Sequence, residues 1–328
     1  MFDVIEKDLE RLEEGLYKAI EAPEELVTKV GEHLVAAGGK RIRPALAILS
    51  AHGSKGFSLE RILPLAIGLE LIHMASLVHD DVIDAADTRR GAATANAKWG
   101  NQVAILAGDY VFARAFSLIA GASYGEYVSK RLATLVCNLS VGEIIQDQAA
   151  FQASRGMADY YDRIQKKTAD FLEISCELGA FVCGASKDDA DKLADYGHSI
   201  GMAFQITDDL LDIEQTAEKI GKPAGNDIRQ GIVTLPVIRA IEMSPDSSSR
   251  TLSKILKWMQ QMSSGRLPLS GRRTALLLPR QRRTNISHMQ SRSYQRVFPR
   301  MFEKHSRWFP TSSVIVTFKG GAVYVWHR

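Results

Sequence analysis

Residues 72–91 read IHMASLVHDDVIDAADTRRG: an apolar helical run ending in Asp80, Asp81 and Asp84, then a basic pair, Arg89-Arg90. Residues 204–212, FQITDDLLD, repeat the carboxylate spacing as Asp208, Asp209 and Asp212. On a helix, positions i and i+4 share a face and i+1 lies beside them, so each cluster aims at least two carboxylates at one point. Like charges there destabilise the helix. The first cluster also sits at a C-terminal end, where the macrodipole disfavours negative charge. Local rules broken in this way are expected at functional sites. A hard divalent cation removes the repulsion, and Mg²⁺ takes one or two carboxylates and completes its shell with water and phosphate oxygens. The two clusters therefore read as a site for Mg²⁺ bound to a diphosphate, facing an apolar cavity.

The surrounding pattern is helical. Val4, Ile5, Leu9, Leu12, Leu16 and Ile20 form one stripe, and a second amphipathic segment over about 24–37 stops at Gly38-Gly39. Lys40-Arg41-Ile42-Arg43-Pro44 follows at the foot of another helix, where backbone N–H groups and the helix dipole favour anions. A solvated basic turn is the plainer reading of that stretch. Helices are expected over about 59–79, 94–121, 126–150, 156–183, 187–215 and 228–242. His73 lies two turns before Asp80, and Gln205 three residues before Asp208, each on the face of its cluster. By itself His73 reads as a core histidine and Lys166-Lys167-Thr168 as an exposed turn. No alternating strand pattern of useful length precedes residue 245, so the fold class is all-α, with about nine or ten helices and short connections.

Charge divides the chain. Residues 246–328 hold 16 Lys/Arg and two acids, Asp246 and Glu303, whereas residues 1–245 hold 25 basic and 36 acidic residues. Beyond about Ser247 the helical stripe fades, and residues 308–328 read as a β-hairpin around Lys319-Gly320-Gly321. Residues 1–245 are expected to form a C-terminally incomplete catalytic domain. Residues 246–328 are expected to be an atypical, poorly ordered basic tail, of the kind a reading-frame shift near codons 244–250 would produce. An evolved basic tail binding nucleic acid is the alternative. Cys137, Cys176 and Cys183 form no CxxC and no even framework, which fits a reduced, cytoplasmic setting. No signal peptide and no membrane span are expected.

The motifs, taken in order, resemble the trans-prenyltransferases (polyprenyl diphosphate synthases). They are GGKRIRP at 38–44, ELIHMASLVHDDVID at 70–84, RRG at 89–91, GD at 108–109, KT at 167–168, FQITDDLLD at 204–212 and GKPAGNDIRQGIVTLP at 221–236. The likeness covers roughly residues 1–245 and is nearest to medium- and long-chain members, such as heptaprenyl diphosphate synthase catalytic subunits. It implies an isoprenoid-synthase-type helical barrel around a deep cavity. It implies head-to-tail addition of isopentenyl diphosphate to an allylic prenyl diphosphate, with three Mg²⁺ ions. By position, Asp80, Asp84 and Asp208 would ligate Mg²⁺, supported by Asp81, Asp209 and Asp212. Arg89, Lys167 and Lys222 would hold the allylic diphosphate. Lys40, Arg43, His73 and Arg90 would hold isopentenyl diphosphate, and Thr168 and Gln205 would lie beside the reacting carbons. Ile232 stands where many short-chain members have Lys, which removes one diphosphate contact. A homodimer is implied, with a heterodimer containing a small regulatory subunit as the alternative. No nucleic-acid partner is expected, and product release would bring transient membrane contact.

The chemistry needs no nucleophilic side chain, and no convincing Ser/His/Asp arrangement is present. Five residues before Asp80 is about 7.5 Å deeper along the helix, where the small Ala75 and Ser76 leave room for a growing chain. Products of C30–C40 are expected, a shorter farnesyl or geranylgeranyl synthase being the alternative. A regulatory or catalytically impaired subunit of the same fold is a further reading, although such subunits typically lack the aspartates that this chain retains. A class-I terpene cyclase would need neither the second aspartate cluster nor the GGKRIRP stretch.

Overall fold

The computed structural model describes residues 2–152, 156–214 and 226–242, together with two strands near the C-terminus. The helices are α1 (Glu6–Ala19), α2 (Glu25–Ala36), α3 (Ile42–His52), α4 (Leu59–Ile83), α5 (Ala95–Trp99), α6 (Asn101–Gly121), α7 (Glu126–Gln148), α8 (Met157–Ile164), α9 (Asp170–Val182) and α10 (Lys187–Glu214). Two further helices span Asn226–Arg229 and Leu235–Glu242. The expected all-α class is what forms.

Four segments differ from the sequence pattern, one being the helix expected over 228–242, which forms as Asn226–Arg229 and Leu235–Glu242 with residues 230–234 between them. The helix expected over 94–121 breaks at Gly100, whose φ of 82° lies outside the helical region. The helix expected over 156–183 is interrupted by a π-turn, Gln165–Ala169, between α8 and α9. A two-residue antiparallel ladder, β1 (Thr88–Arg89) with β2 (Ala92–Ala93), closes the loop after α4. Near the C-terminus, β3 (Ile315–Lys319) pairs antiparallel with β4 (Ala322–Trp326), the hairpin expected there. Residues 243–314 lie outside the described residues, and with them most of the expected basic tail.

α4 is the central element. Its residues Ile62, Leu65, Leu69, Leu71, Ile72 and Ala75 are all fully buried in the main apolar cluster, with partners from α1, α3, α6, α7 and α9. Two crossings are set by glycine. A Cβ on Gly179 of α9 would lie 2.3 Å from the Ala47 carbonyl oxygen of α3. One on Gly201 of α10 would lie 2.5 Å from Cα of Ala169, the last residue of the π-turn. Backbones approach here more closely than any side chain allows, so α10 and the π-turn are locked together. α4 and α6 are long and apolar enough to cross a bilayer. α4 is accounted for as the core helix, whereas the apolar stretch of α6 is only 33% buried.

Candidate active site

The first cluster occupies the last turn of α4. Asp80 is half-buried, and burial pushes its carboxyl up to about 6; Glu143 and Asp84 add to this, while Lys167 and Arg89 oppose it. Asp84 is exposed and its carboxyl is also raised, first by burial and then by Glu143 and Asp81, against Lys167 and Arg89. Asp81 is 5% exposed, accepts a hydrogen bond from Arg89 Nε at 2.7 Å and forms an ion pair with its Nη2 at 2.7 Å. Aimed outward are therefore Asp80 and Asp84, while Asp81 fixes the ladder that carries Arg89.

The second cluster lies near the end of α10. Asp208 is exposed and Asp212 half-buried. Asp212 Oδ2 accepts from the backbone N–H of Asp227 at 3.3 Å. Asp209 is buried and accepts from Gln205 Nε2 at 2.8 Å and from Tyr160 OH at 2.7 Å. Gln205 in turn accepts from Thr168 Oγ1 at 2.7 Å. The sequence placed Gln205 on the face of Asp208; the structure bonds it to Asp209, and its link to Thr168 and Tyr160 required α8, the π-turn and α10 to pack.

The π-turn joins the two clusters. It turns Lys167 toward Glu143 of α7, with Nζ to Oε2 at 2.6 Å, and places it within the field of Asp80 and Asp84. The next residue, Thr168, belongs to the second cluster's hydrogen-bond chain. A single π-turn amid regular helix is a recurrent mark of functional sites.

The cationic half is built from the GGKRIRP stretch and the α4 face. Arg43 is half-buried, stacks its guanidinium 4.7 Å from the Phe171 ring centroid, and has a buried Nε with no hydrogen-bond partner among the described residues. Burial lowers its pKa to about 10, so the charge persists at neutral pH. His73 contacts the edge of the same ring. Burial, and then the charges of Arg43, Arg90, Arg89 and Arg41, hold its imidazole well below the usual histidine range, hence neutral. Arg90 is exposed and donates through Nη1 to the Gly38 carbonyl. Lys40 is exposed in the same loop. Arg41 points the other way: it is buried, donating to Glu13, to Glu70 Oε1 at 2.9 Å and to the Val35 carbonyl at 3.1 Å. Arg41, Ala85 and Arg90 all have left-handed φ, of 47°, 48° and 52°. Non-glycine residues in that region cost about 1–2 kcal/mol each and concentrate at ligand-binding loops.

Lys222 lies outside the described residues. Ala75 is fully buried in the core, whereas Ser76 is half-buried and donates its hydroxyl to the His73 carbonyl. Three residues given no role by the sequence join the site: Glu143, Tyr160 and Asp227. The Asp227 carboxyl is pushed up to about 7 by burial and then by Asp212, Asp209 and Asp208. It stands 15 residues after Asp212 in the sequence, and no helical spacing relates the two.

The carboxylates of Asp80, Asp84, Asp208, Asp212 and Asp227 are of the type that suits a hard divalent cation. A separate group, Asp170, Glu173 and His198, also brings its ligand atoms within 4.8 Å of one another. There Asn138 holds Asp170 and Arg131 holds Glu173, which makes it an ion-pair network between α7, α9 and α10.

The fold, with its two acidic helix ends, is an all-α isoprenoid-synthase architecture. Residues 24–267 match the polyprenyl synthetase family, a match that runs past residue 245. The chain is 44% identical over 241 residues to heptaprenyl diphosphate synthase component 2 of Geobacillus stearothermophilus, covering 74% of this chain and 75% of that one. It is 36% identical over 234 residues to octaprenyl diphosphate synthase of Haemophilus influenzae, covering 71% and 70%. The crystal structure of heptaprenyl diphosphate synthase from Staphylococcus aureus is similar, with a TM-score of 0.72 at 33% identity over 83% of this chain and 95% of that one. The chain belongs to the polyprenyl synthetase family and is a prenyltransferase.

Proposed function

We propose that the chain is a Mg²⁺-dependent polyprenyl diphosphate synthase, condensing isopentenyl diphosphate head-to-tail with an allylic diphosphate to give C30–C40 products. The observation that carries this reading is the convergence on one π-turn. Lys167 sits in the field of Asp80 and Asp84, while Thr168 is bonded into the Asp209 chain. Two acidic helix ends are thereby served by adjacent residues.

The allylic C–O bond ionises readily where charge on the leaving oxygens is already met by fixed cations in a water-poor site. Lys167, Arg89 and Lys222 supply these clamps for the allylic diphosphate. When bound, Mg²⁺ held by Asp80, Asp84 and Asp208 supplies further neutralisation of that leaving group. Arg43, His73, Arg90 and Lys40 form the second anion site. Support comes from Arg43 Nε, a buried donor without a partner among the described residues, and from a neutral His73 able to donate an N–H. The alkene of isopentenyl diphosphate attacks the allylic cation, and a proton then passes to the departing diphosphate. Holding both substrates adjacent contributes much of the rate. The oxygens of Thr168 and Gln205 stabilise positive charge without trapping it.

The proposed assembly is a homodimer through the outer faces of α6 and α7. Exposed Ile105, Leu106, Val141 and Ile144 lie on these helices. The component 2 name of the Geobacillus relative supports a small second subunit as the alternative. The cytoplasm is the proposed location. Incubating purified protein with Mg²⁺, labelled isopentenyl diphosphate and farnesyl diphosphate tests the activity. Dephosphorylated products of C30–C40 are expected on chromatography, and no incorporation of label refutes the assignment.

A further inference from the structure

Asp209 differs from its neighbours in the second cluster. Its two carboxylate oxygens are engaged by protein donors on opposite sides: Gln205 Nε2 at Oδ1 and Tyr160 OH at Oδ2. Tyr160 is 1% exposed and packed among Ile164, Ile228 and Val233, with the Arg163 guanidinium 5.7 Å from its ring centroid. Its hydroxyl is therefore a fixed point in the molecule.

We propose that Tyr160 is a positioning residue for the prenyl-transfer step, acting through Asp209 on Gln205 and so on Thr168. The inference rests on the synthase reading above. Its physical basis is the polarity of the chain. A carboxylate only accepts, so Asp209 forces Gln205 to present its NH₂ inward and its carbonyl toward Thr168. Thr168 then donates to that carbonyl, and its remaining lone pairs are left to face the substrate. Release of Asp209 lets the Gln205 amide turn over. Thr168 then accepts from the amide and directs its own hydrogen outward, presenting a positive end to a developing carbocation. Such a change acts on the transition state far more than on bound diphosphates, so it belongs in kcat rather than KM.

Tyr160→Phe removes only the hydroxyl. Expected is a fall in kcat of about tenfold, with KM for both diphosphates changed by less than about twofold. In an Asp209→Asn background the same substitution should add less than about twofold, because the pair acts as one unit. An unchanged kcat, or a full tenfold fall on top of Asp209→Asn, overturns the proposal. Crystal structures of the wild type and Tyr160→Phe give a readout independent of turnover. The Gln205–Thr168 contact should open or invert, and an unaltered contact overturns the inference. A wild type that makes no prenyl product refutes the synthase reading instead, and the crystallographic comparison still decides the role of Tyr160. If Tyr160→Phe does not fold, Asp209→Asn alone must lower kcat with KM preserved, and a normal kcat there is equally decisive against it.

Discussion

Asp80 and Asp227 carry the electrostatic cost of the site. Both carboxyls are raised, to about 6 and about 7, by burial first and by neighbouring acids second. They hold protons more tightly folded than unfolded, so without metal they subtract stability as pH rises from the ordinary carboxylate range through 6–7. A divalent cation meets ionised ligands above that window and must displace protons below it. Mg²⁺ should therefore raise Tm far more at pH 8 than at pH 5.5, and equal shifts at both would sink the assignment of these acids to a metal site. Asp80→Ala should lower turnover by at least about a thousandfold with helix content by circular dichroism unchanged. Near-normal turnover would refute a ligand role. Arg43→Ala should raise KM for isopentenyl diphosphate at least about tenfold, with the allylic KM little changed; the reverse pattern would reassign this anion site. Spacing alone put Asp80, Asp84 and His73 on one helix face as candidates, because i, i+4 and i+7 positions share a face whatever surrounds them, and it left His73 by itself a core histidine. It could not separate Arg41 from Arg43. One lies in an ion pair with Glu70 and the other against Phe171, a difference decided by the left-handed backbone at Arg41.

At the level of elements, α4, the π-turn and α10 carry the candidate site. The π-turn is held where Gly201 lets α10 reach the Ala169 backbone. Gly201→Ala should lower both Tm and activity, since added volume in a closed contact typically costs about 1–3 kcal/mol. Gly121→Ala has open space around its Cβ and should leave both nearly unchanged. An equal response to the two would mean that the crossing does not position the site. Along α4, burial divides the residues expected to govern chain length. Ala75 has no free surface, while Ser76 is partly open. Ser76→Phe should shorten the product on chromatography, and Ala75→Phe should chiefly lower Tm. Shortening by Ala75→Phe alone, with Tm intact, would place the cavity wall at Ala75. The break at Gly100 and the π-turn were both hidden in uninterrupted helical periodicity. A π-turn adds one residue without altering composition, so no local pattern announces it.

For the whole molecule, exposed Ile105, Leu106, Val141 and Ile144 on α6 and α7 mark the proposed dimer face. Ile105→Asp with Leu106→Lys should convert the proposed dimer to monomer in sedimentation, with helix content preserved. A double variant that sediments as the wild type does would exclude that face. The charge division near residue 246 was plain in the composition, and the family match runs to residue 267. Resequencing the locus should show an acid-balanced continuation in another frame, whereas one uninterrupted frame would leave an evolved basic tail. The amino-acid order by itself determined the all-α class, the two acidic helix ends and the basic loop at 40–43, because each depends on periodicities internal to one helix. The tertiary structure alone decided that Lys167 meets Glu143, that Asp227 joins the second cluster and that Tyr160 anchors Asp209. These contacts join residues 15 to 49 positions apart, and such distances are bridged only when separate helices bury their apolar faces against one another.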